Sequence, residues 1–140
     1  MANQPIVQDV MTRNPAHVAP DDSIRVAIDQ MRERNCRRLP VVELDALVGI
    51  VSDRDLRRAT NSPLVLRERW YDEFMLDRIP VRACMSEKPT TVTPQTLVTE
   101  AAKIMRDRKI GGLPVVEDDH LVGIITETDL LDFLIRMLER

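Results

Sequence analysis

Long apolar runs and aromatic side chains are scarce in this 140-residue sequence, in which aromatic residues make up 3%. No stretch reaches the roughly 18 consecutive apolar residues that cross a bilayer. The N-terminus, Met-Ala-Asn-Gln-Pro, has neither the basic nor the apolar region of a signal peptide. We therefore expect a cytoplasmic protein with no membrane association.

Glycines and catalytic motifs are also few. The chain has four glycines and contains neither G-x-x-x-x-G-K-[ST] nor G-x-S-x-G, so phosphate-loop hydrolysis and α/β-hydrolase chemistry have no motif. His17 and His120 lie at places that do not correspond in the sequence pattern, which favours surface histidines over a catalytic base or a metal ligand. We predict no catalytic residues, no metal site and no required cofactor.

The cysteine count and the charge balance exclude further classes. Cys36 and Cys84 form no C-x-x-C pair, which favours free buried thiols over a disulfide framework or a zinc site. The net charge of −3 and the pI near 5.4 fit poorly with non-specific nucleic-acid binding, which depends on an excess of basic residues. No nucleic-acid partner is expected.

The sequence does contain an internal repeat. Residues 10–56 align without a gap onto residues 84–130, each position shifted by 74, and 20 of the 47 aligned positions are identical. The longest identical blocks are LPVVE, at 39–43 and 113–117, and LVGI, at 47–50 and 121–124. A match of this length indicates a duplication. We expect the two units to pack with pseudo-twofold symmetry, because each is too small to bury a good core alone, and to form a cleft between them.

Each repeat has the same predicted order of elements, β-α-β-β-α, which makes the expected fold class α/β (α+β). An extended stretch bounded by prolines precedes an amphipathic helix, then two short apolar runs form a hairpin, and a second helix begins at Ser52 or Thr126. The apolar residues at helical spacing in the two amphipathic helices are Ile24, Ala27, Ile28 and Met31, and Val98, Ala101, Ala102 and Met105. The predicted extended stretches are 14–20 and 88–94, and the predicted strands are 39–42, 47–51, 113–116 and 121–125. The predicted divisions are repeat one at 1–60, a linker at 61–82 and repeat two at 83–140.

The linker and the chain's C-terminal region carry apolar residues that the repeat does not explain. Residues 66–79 are predicted to be partly helical, with Leu66, Trp70 and Phe74 at a spacing of four. A linker helix and an aromatic contact in a dimer interface both account for this spacing. Residues 130–138 are strongly apolar for a terminal helix, so we expect a second subunit to cover them.

The pattern G-h-h-[ST]-x-x-D, where h is apolar, ends the second strand of each hairpin, as GIVSDRD at 49–55 and GIITETD at 123–129. A glycine in a strand permits close approach of another backbone or a ligand, and a helix start offers N–H groups that favour anions. The carboxylate one turn later can accept hydrogen bonds from two vicinal hydroxyls, as in ribose. The same [ST]-x-x-[DE] spacing also forms a helix capping box without any ligand, so both interpretations stay open.

Taken together, the LPVVE strands, these two junctions and the Met-Thr and Met-Ser starts at residues 11 and 85 resemble tandem CBS domains, the cystathionine-β-synthase-type pair or Bateman module. With its insert between the repeats, the chain resembles stand-alone CBS pair proteins of the acetoin-utilisation type. The resemblance implies a regulatory module, in a family whose members bind AMP, ADP, ATP, S-adenosylmethionine or no ligand.

The resemblance further implies two clefts, each built from both repeats. The first would use Met11, Ala16, Cys36, Arg37 and Arg38 with Ile124, Thr126, Thr128 and Asp129. The second would use Met85, Thr90, Ile110, Gly111 and Gly112 with Ile50, Ser52, Arg54 and Asp55. In family terms, apolar side chains hold the adenine, the aspartate holds the ribose, and hydroxyls and basic residues meet the phosphates. Because Arg37 and Arg38 belong to one cleft only, we expect two different affinities; a solvated helix end also explains these arginines.

We therefore expect an energy-sensing regulatory module that binds an adenine nucleotide, or less favourably S-adenosylmethionine, without catalysis. It would form a homodimer and act on a separate effector protein. The alternative is a ligand-free structural or dimerisation module in which Ser52 and Thr126 only cap helices. A nucleotide hydrolase is the weakest class, because the sequence offers no catalytic base or metal site.

Overall fold

The computed structural model describes residues 3–60 and 75–140, and the chain divides into two compact units. Unit 1 comprises Met1–Pro15 and Pro89–Arg140, and unit 2 comprises Ala16–Lys88. In chain order the elements are α1 (Val7–Val10), β1 (Thr12–Arg13), α2 (Ile24–Arg34), β2 (Arg38–Glu43), β3 (Ala46–Ser52), α3 (Asp53–Thr60), β4 (Ser86–Glu87), α4 (Val98–Arg108), β5 (Gly112–Glu117), β6 (His120–Thr126) and α5 (Glu127–Leu138). The predicted α+β class with two similar repeats is confirmed.

Each unit contains three antiparallel strands built around a hairpin. In unit 1, β6 lies between β1 and β5, and in unit 2, β3 lies between β4 and β2. The hairpins turn at two residues with left-handed backbone, Leu44 and Asp45 in unit 2 and Asp118 and Asp119 in unit 1. This two-residue turn matches the right-handed twist of the paired strands. The hairpins predicted from the apolar runs are therefore present in both repeats.

The predicted first strand of each repeat is reduced to a single bridging residue. The Val18 amide donates to the Pro40 carbonyl at 3.1 Å, and the Val18 carbonyl accepts from the Val42 amide at 2.8 Å. Val92 makes the equivalent parallel bridge to Val115 in unit 1. Pairing stops there because the flanking prolines have no N–H to donate. The two-residue strands β1 and β4, which the apolar pattern does not indicate, pair with the hairpins instead.

Each unit has its own apolar core. The apolar residues that recur at helical spacing in the two amphipathic helices face these cores. Ile24, Ala27 and Met31 of α2 are buried in unit 2, as are Val98, Ala101 and Met105 of α4 in unit 1. In unit 1, α1 adds Val7 and Val10 to the core formed by α4 and by the hairpin residues Leu113, Val115 and Ile125. In unit 2 the core is completed by Val18, Leu39, Val41, Val51, Leu56 and Val81.

Backbone hydrogen bonds attach the segment that precedes the hairpin of one repeat to the unit that contains the hairpin of the other repeat. The Val7 amide donates to the Thr96 carbonyl at 2.7 Å, and the Val98 amide donates to the Pro5 carbonyl at 3.0 Å. In unit 2 the Val81 amide donates to the Asp22 carbonyl at 2.7 Å. The start of repeat one is thus part of unit 1, whose hairpin belongs to repeat two, and 81–88 are part of unit 2.

The predicted linker helix at 66–79 falls mostly outside the described residues, which resume at Met75. There the amides of Arg78 and Ile79 donate to the Met75 carbonyl at 2.9 and 3.0 Å. A 3-10 turn follows at Val81–Ala83. Across 3–60 and 75–140, no helix combines the length and the apolar character needed to cross a membrane.

Candidate functional site

The junction between the hairpin and the following helix has the same capping geometry in both units. In unit 2 the Ser52 Oγ accepts from the Asp55 amide at 3.1 Å, and the Asp55 Oδ2 accepts from the Ser52 amide at 2.8 Å. In unit 1 the Thr126 Oγ1 accepts from the Asp129 amide at 3.3 Å, and the Asp129 Oδ2 accepts from the Thr126 amide at 2.9 Å. Both are reciprocal capping boxes, so the capping interpretation of the motif is confirmed.

Capping does not occupy the whole carboxylate. A carboxylate has two oxygens with about four acceptor positions, and each cap uses only Oδ2. Within the part of the chain that the structure describes, the Asp55 Oδ1 accepts no hydrogen bond. The Asp129 Oδ1 accepts one, from the Thr12 hydroxyl of β1 at 2.9 Å. Both aspartates are half-buried, which leaves acceptor capacity next to the first turn of each helix.

The segments predicted to meet phosphates lie beside these junctions. In unit 2, Arg38 is paired with Ser52, and the Arg37 carbonyl accepts from the Asp53 amide at 2.8 Å. In unit 1, Gly112 is paired with Thr126, and the Gly111 carbonyl accepts from the Glu127 amide at 3.0 Å. One helical N–H at each junction is therefore already satisfied by the neighbouring strand. Basic side chains flank the junction of unit 2, whereas glycines flank that of unit 1.

The glycine of the motif is explained by a neighbouring strand. In unit 2 a Cβ built on Gly49 would lie 2.9 Å from the Ser86 carbonyl oxygen of β4, and in unit 1 a Cβ on Gly123 would lie 2.9 Å from the Thr12 carbonyl oxygen of β1. Such distances are shorter than a side chain tolerates. Of the two explanations for this glycine, approach by another backbone is the one observed.

The structure distributes the predicted site residues between the units. Unit 1 contains Met11, Thr90, Ile110, Gly111, Gly112, Ile124, Thr126, Thr128 and Asp129, and unit 2 contains Ala16, Cys36, Arg37, Arg38, Ile50, Ser52, Arg54, Asp55 and Met85. Met11 and Met85 reach the motifs of their own units, because their Sδ atoms lie next to Gly123 and Gly49. The combination of segments across the repeats that the resemblance implies stays a prediction.

Two hydrogen bonds in unit 1 involve residues that the sequence does not single out. Thr12 donates to Asp129, and the Arg108 Nη1 donates to the Thr90 Oγ1 at 2.9 Å. Both bonds join segments that are distant in sequence, so periodicity and motif spacing cannot indicate them. The only signal for Thr12 is its place directly after Met11, in the Met-Thr start.

The two thiols are unsuited to nucleophilic chemistry. Cys36 and Cys84 are free and half-buried. Burial raises the pKa of the Cys36 thiol, although the backbone hydrogen bond at Arg38 and the nearby Arg34 charge oppose it. Burial also raises the pKa of the Cys84 thiol, and the Asp55 carboxylate raises it further. Because only the thiolate attacks, both side chains are poor nucleophiles near neutral pH.

Metal-binding clusters are absent from 3–60 and 75–140, where no group of three His, Cys, Asp or Glu side chains could hold an ion. His17 and His120 are both exposed, as expected for surface histidines.

Comparison with known proteins adds to this geometry. A CBS domain protein from Dictyostelium discoideum is 39% identical over 137 residues, covering 96% of this chain and 94% of its own. Among solved structures, an acetoin utilization protein (AcuB) from Vibrio cholerae superposes with a TM-score of 0.81 at 34% identity, covering 98% and 95% of the two chains. CBSX2, solved in complex with AMP, superposes with a TM-score of 0.79 at 29% identity, covering 96% and 98%.

The family model for the CBS domain matches this chain twice, at residues 7–62 and 81–136. The two matches contain both hairpins and both capped junctions, and together they span most of the sequence. They also begin at the segments that precede each repeat, near α1 and at the 3-10 turn. This chain therefore belongs to the CBS domain family and carries two CBS domains.

Proposed function

We propose that this chain is a regulatory module that binds an adenosine-containing ligand, foremost AMP, ADP or ATP and less favourably S-adenosylmethionine, and does not transform it. The observation that carries the proposal is the acceptor capacity left on Asp55 and Asp129 after each has capped its helix. Two vicinal ribose hydroxyls need two acceptor positions in a fixed orientation, and a carboxylate held by a cap provides them. The AMP complex of CBSX2 supports the choice of ligand.

The site residues predicted from the resemblance have suitable chemistry for the rest of such a ligand. Ile124 is 6% exposed and Ile50 is half-buried. Each lies two residues before the hydroxyl-bearing residue of its junction, Thr126 or Ser52. Arg37 and Arg54 are exposed, so their guanidinium groups are accessible to phosphate oxygens in fork-shaped contacts. We propose that the module acts in the cytoplasm as an energy sensor on a separate effector protein, through a difference in ligand affinity between two arrangements of that assembly.

The test is a binding panel of AMP, ADP, ATP, S-adenosylmethionine and GTP, measured by calorimetry and thermal shift. Ligand at about 100 times its dissociation constant stabilises the folded state by about 2.7 kcal/mol. Asp55→Asn and Asp129→Asn keep an amide oxygen that can accept the capping bond but replace the other oxygen with a donor. Each is expected to weaken adenosine binding at one site by about 10- to 100-fold, the value of a hydrogen bond to a charged group.

Asp118→Asn is the matched control, because it makes the same chemical change in an exposed hairpin turn. It should leave both melting temperature shifts and affinities unchanged. If none of the adenosine compounds binds at millimolar concentration, the proposed function is wrong. Turnover of ATP that follows the purified protein through each column would instead favour the enzyme.

A ligand-free dimerisation module is the second candidate, and the α5 face favours it. No residue of α5 is fully buried, and Leu131, Leu134 and Leu138 are 58%, 50% and 76% exposed. We propose that a second copy of the chain covers this face in a homodimer. Leu134→Lys is expected to shift the mass measured by light scattering towards the monomer. Leu44→Lys adds the same charge at the hairpin tip and should not change the mass.

A further inference from the structure

The two carboxylates proposed to hold ribose differ in one respect that follows from the strands beside them. The Thr12 hydroxyl donates to the Asp129 Oδ1 at 2.9 Å, across 117 residues of sequence but within unit 1. β1 sets this contact, because Thr12 is paired with Ile124, two residues before the junction. In unit 2, Ser86 of β4 holds the same position in register, paired with Ile50. Among the described residues, no hydrogen bond joins Ser86 to Asp55.

The Thr12 bond is not needed to orient Asp129. The Asp129 Oδ2 already accepts from the Thr126 amide at 2.9 Å and from the Thr126 hydroxyl at 3.1 Å, so the cap alone fixes the carboxylate. Among the described residues, the Asp55 carboxylate accepts from the Ser52 amide alone, and the cap is completed by the Asp55 amide, which donates to the Ser52 Oγ. The Thr12 hydroxyl therefore occupies an acceptor position on the Asp129 Oδ1, although the cap already orients the carboxylate.

A second bond in unit 1 acts on another predicted site residue. The Arg108 Nη1 donates to the Thr90 Oγ1 at 2.9 Å. The corresponding residues of the first repeat are Arg34 and Ala16, and alanine has no hydroxyl to accept such a bond. Thr90 belongs to the predicted cleft of Asp55, so this bond does not act on Asp129, and the difference between the two carboxylates depends on Thr12 alone.

We propose that Thr12 is an affinity-determining residue, an internal competitor that holds Asp129 until a ribose hydroxyl replaces the Thr12 hydroxyl at Oδ1. This inference rests on the proposed function and specifies how its two sites differ. To bind Asp129, a ribose hydroxyl must replace the bond that Thr12 already makes in the empty protein. At Asp55 Oδ1 the ribose hydroxyl replaces no bond from another described residue. The Thr12 hydroxyl therefore weakens adenine-nucleotide binding at the Asp129 site by about 2- to 10-fold, the value of one net hydrogen bond.

The experiment measures AMP affinity by calorimetry with one site at a time. In the Asp55→Asn background, Thr12→Val removes the hydroxyl while keeping the β-branched shape that suits β1. The expected result is AMP binding that is tighter by about 2- to 10-fold. A 2′,3′-dideoxy analogue of AMP has no hydroxyl for Asp129, and its affinity should not respond to Thr12→Val. Thr12→Ala repeats the measurement if the valine variant does not fold.

The matched control is Ser86→Ala in the Asp129→Asn background, which removes the equivalent hydroxyl of β4. AMP affinity should be unchanged there. If AMP binds but Thr12→Val leaves its affinity equal or makes it weaker, the competitor role is wrong while the proposed function stands. If AMP binds none of these proteins, the proposed function fails and the role of Thr12 at a ligand site fails with it.

Discussion

Met85 lies against Gly49, with its Sδ 2.7 Å from the position that a Cβ on this glycine would occupy. Met11 lies in the same way against Gly123, where the distance is 2.6 Å. The methionines come directly before β4 and β1. Each glycine is therefore in contact with a flexible methionine side chain and with the backbone carbonyl of the residue that follows that methionine. These contacts fix the short strands that place Ser86 beside one capped junction and Thr12 beside the other.

Alanine at either glycine is expected to lower the free energy of unfolding by about 1–3 kcal/mol, as overpacking does elsewhere. Urea unfolding measures this change. The Met85 side chain can move, but the Ser86 carbonyl is held by strand pairing. Adding Met85→Ala to Gly49→Ala should therefore recover only part of the loss, with Met85→Ala alone as the reference. Full recovery would show that the carbonyl contact is unimportant.

Lys109 is expected to be a poor end for α4. Its φ is 55°, in the left-handed region, and the equivalent residue at the end of α2 is Asn35, with φ 51°. Asparagine tolerates this conformation better than lysine does. Lys109→Asn should raise the free energy of unfolding by roughly 0.5–1 kcal/mol, part of the left-handed strain of an ordinary residue. Asn35→Lys is the reverse exchange, and an increase in stability there would contradict the explanation.

Leu44 has φ 51° and is 95% exposed, so it has neither a favourable backbone nor a buried side chain. The second repeat has Asp118 at this place, with φ 50°. Leu44→Asp is expected to raise the free energy of unfolding by up to about 1 kcal/mol. The change should appear as a higher urea midpoint with an unchanged slope. Asp118→Leu should lower the midpoint. If both exchanges leave it unchanged, the turn residues are energetically equivalent.

Cys84 gives a pH-dependent prediction. Burial and then the Asp55 charge raise its pKa in the folded protein above the ordinary value of 9.0. The unfolded chain therefore releases the thiol proton at a lower pH than the folded protein. The stability that this thiol contributes is complete below pH 9.0 and is lost as the pH rises through the folded pKa. Urea unfolding between pH 8 and 10 should show a smaller decline for Cys84→Ser than for the wild type.

Thiol labelling checks the cause of that shift. In a Cys36→Ser background only Cys84 reacts, and its labelling rate follows the thiolate fraction. Asp55→Asn removes the negative charge that raises the pKa, so the labelling profile should move to lower pH. A profile that does not move would assign the whole shift to burial.

Much of the local structure could be predicted because short-range signals determine it. The hairpins follow from the apolar runs, and the capping boxes at Ser52 and Thr126 follow from the three-residue spacing to an aspartate. The helix faces follow from residues such as Ala27 and Met31, which recur at helical spacing and are buried as expected.

The partners of short segments could not be predicted, because no periodic signal records them. Thr12 meets Asp129 through a two-residue strand, and two residues are too few to show an alternating pattern. The predicted strand around Val18 is reduced to a bridge because the prolines on each side limit pairing. The site shows the same division: its caps could be predicted from the sequence, but the third donor to Asp129 could not.

The membership of α1 in unit 1 has a consequence for synthesis. Unit 2 is one continuous segment, Ala16–Lys88, and its core can form as soon as that segment has left the ribosome. Val7 and Val10 are made before unit 2, yet the core they enter includes Val98 and Leu113, which are made after it. Val7 and Val10 must therefore remain without these core partners while all of unit 2 is synthesised. Unit 1 is expected to close after unit 2, through a contact between segments that are distant in sequence.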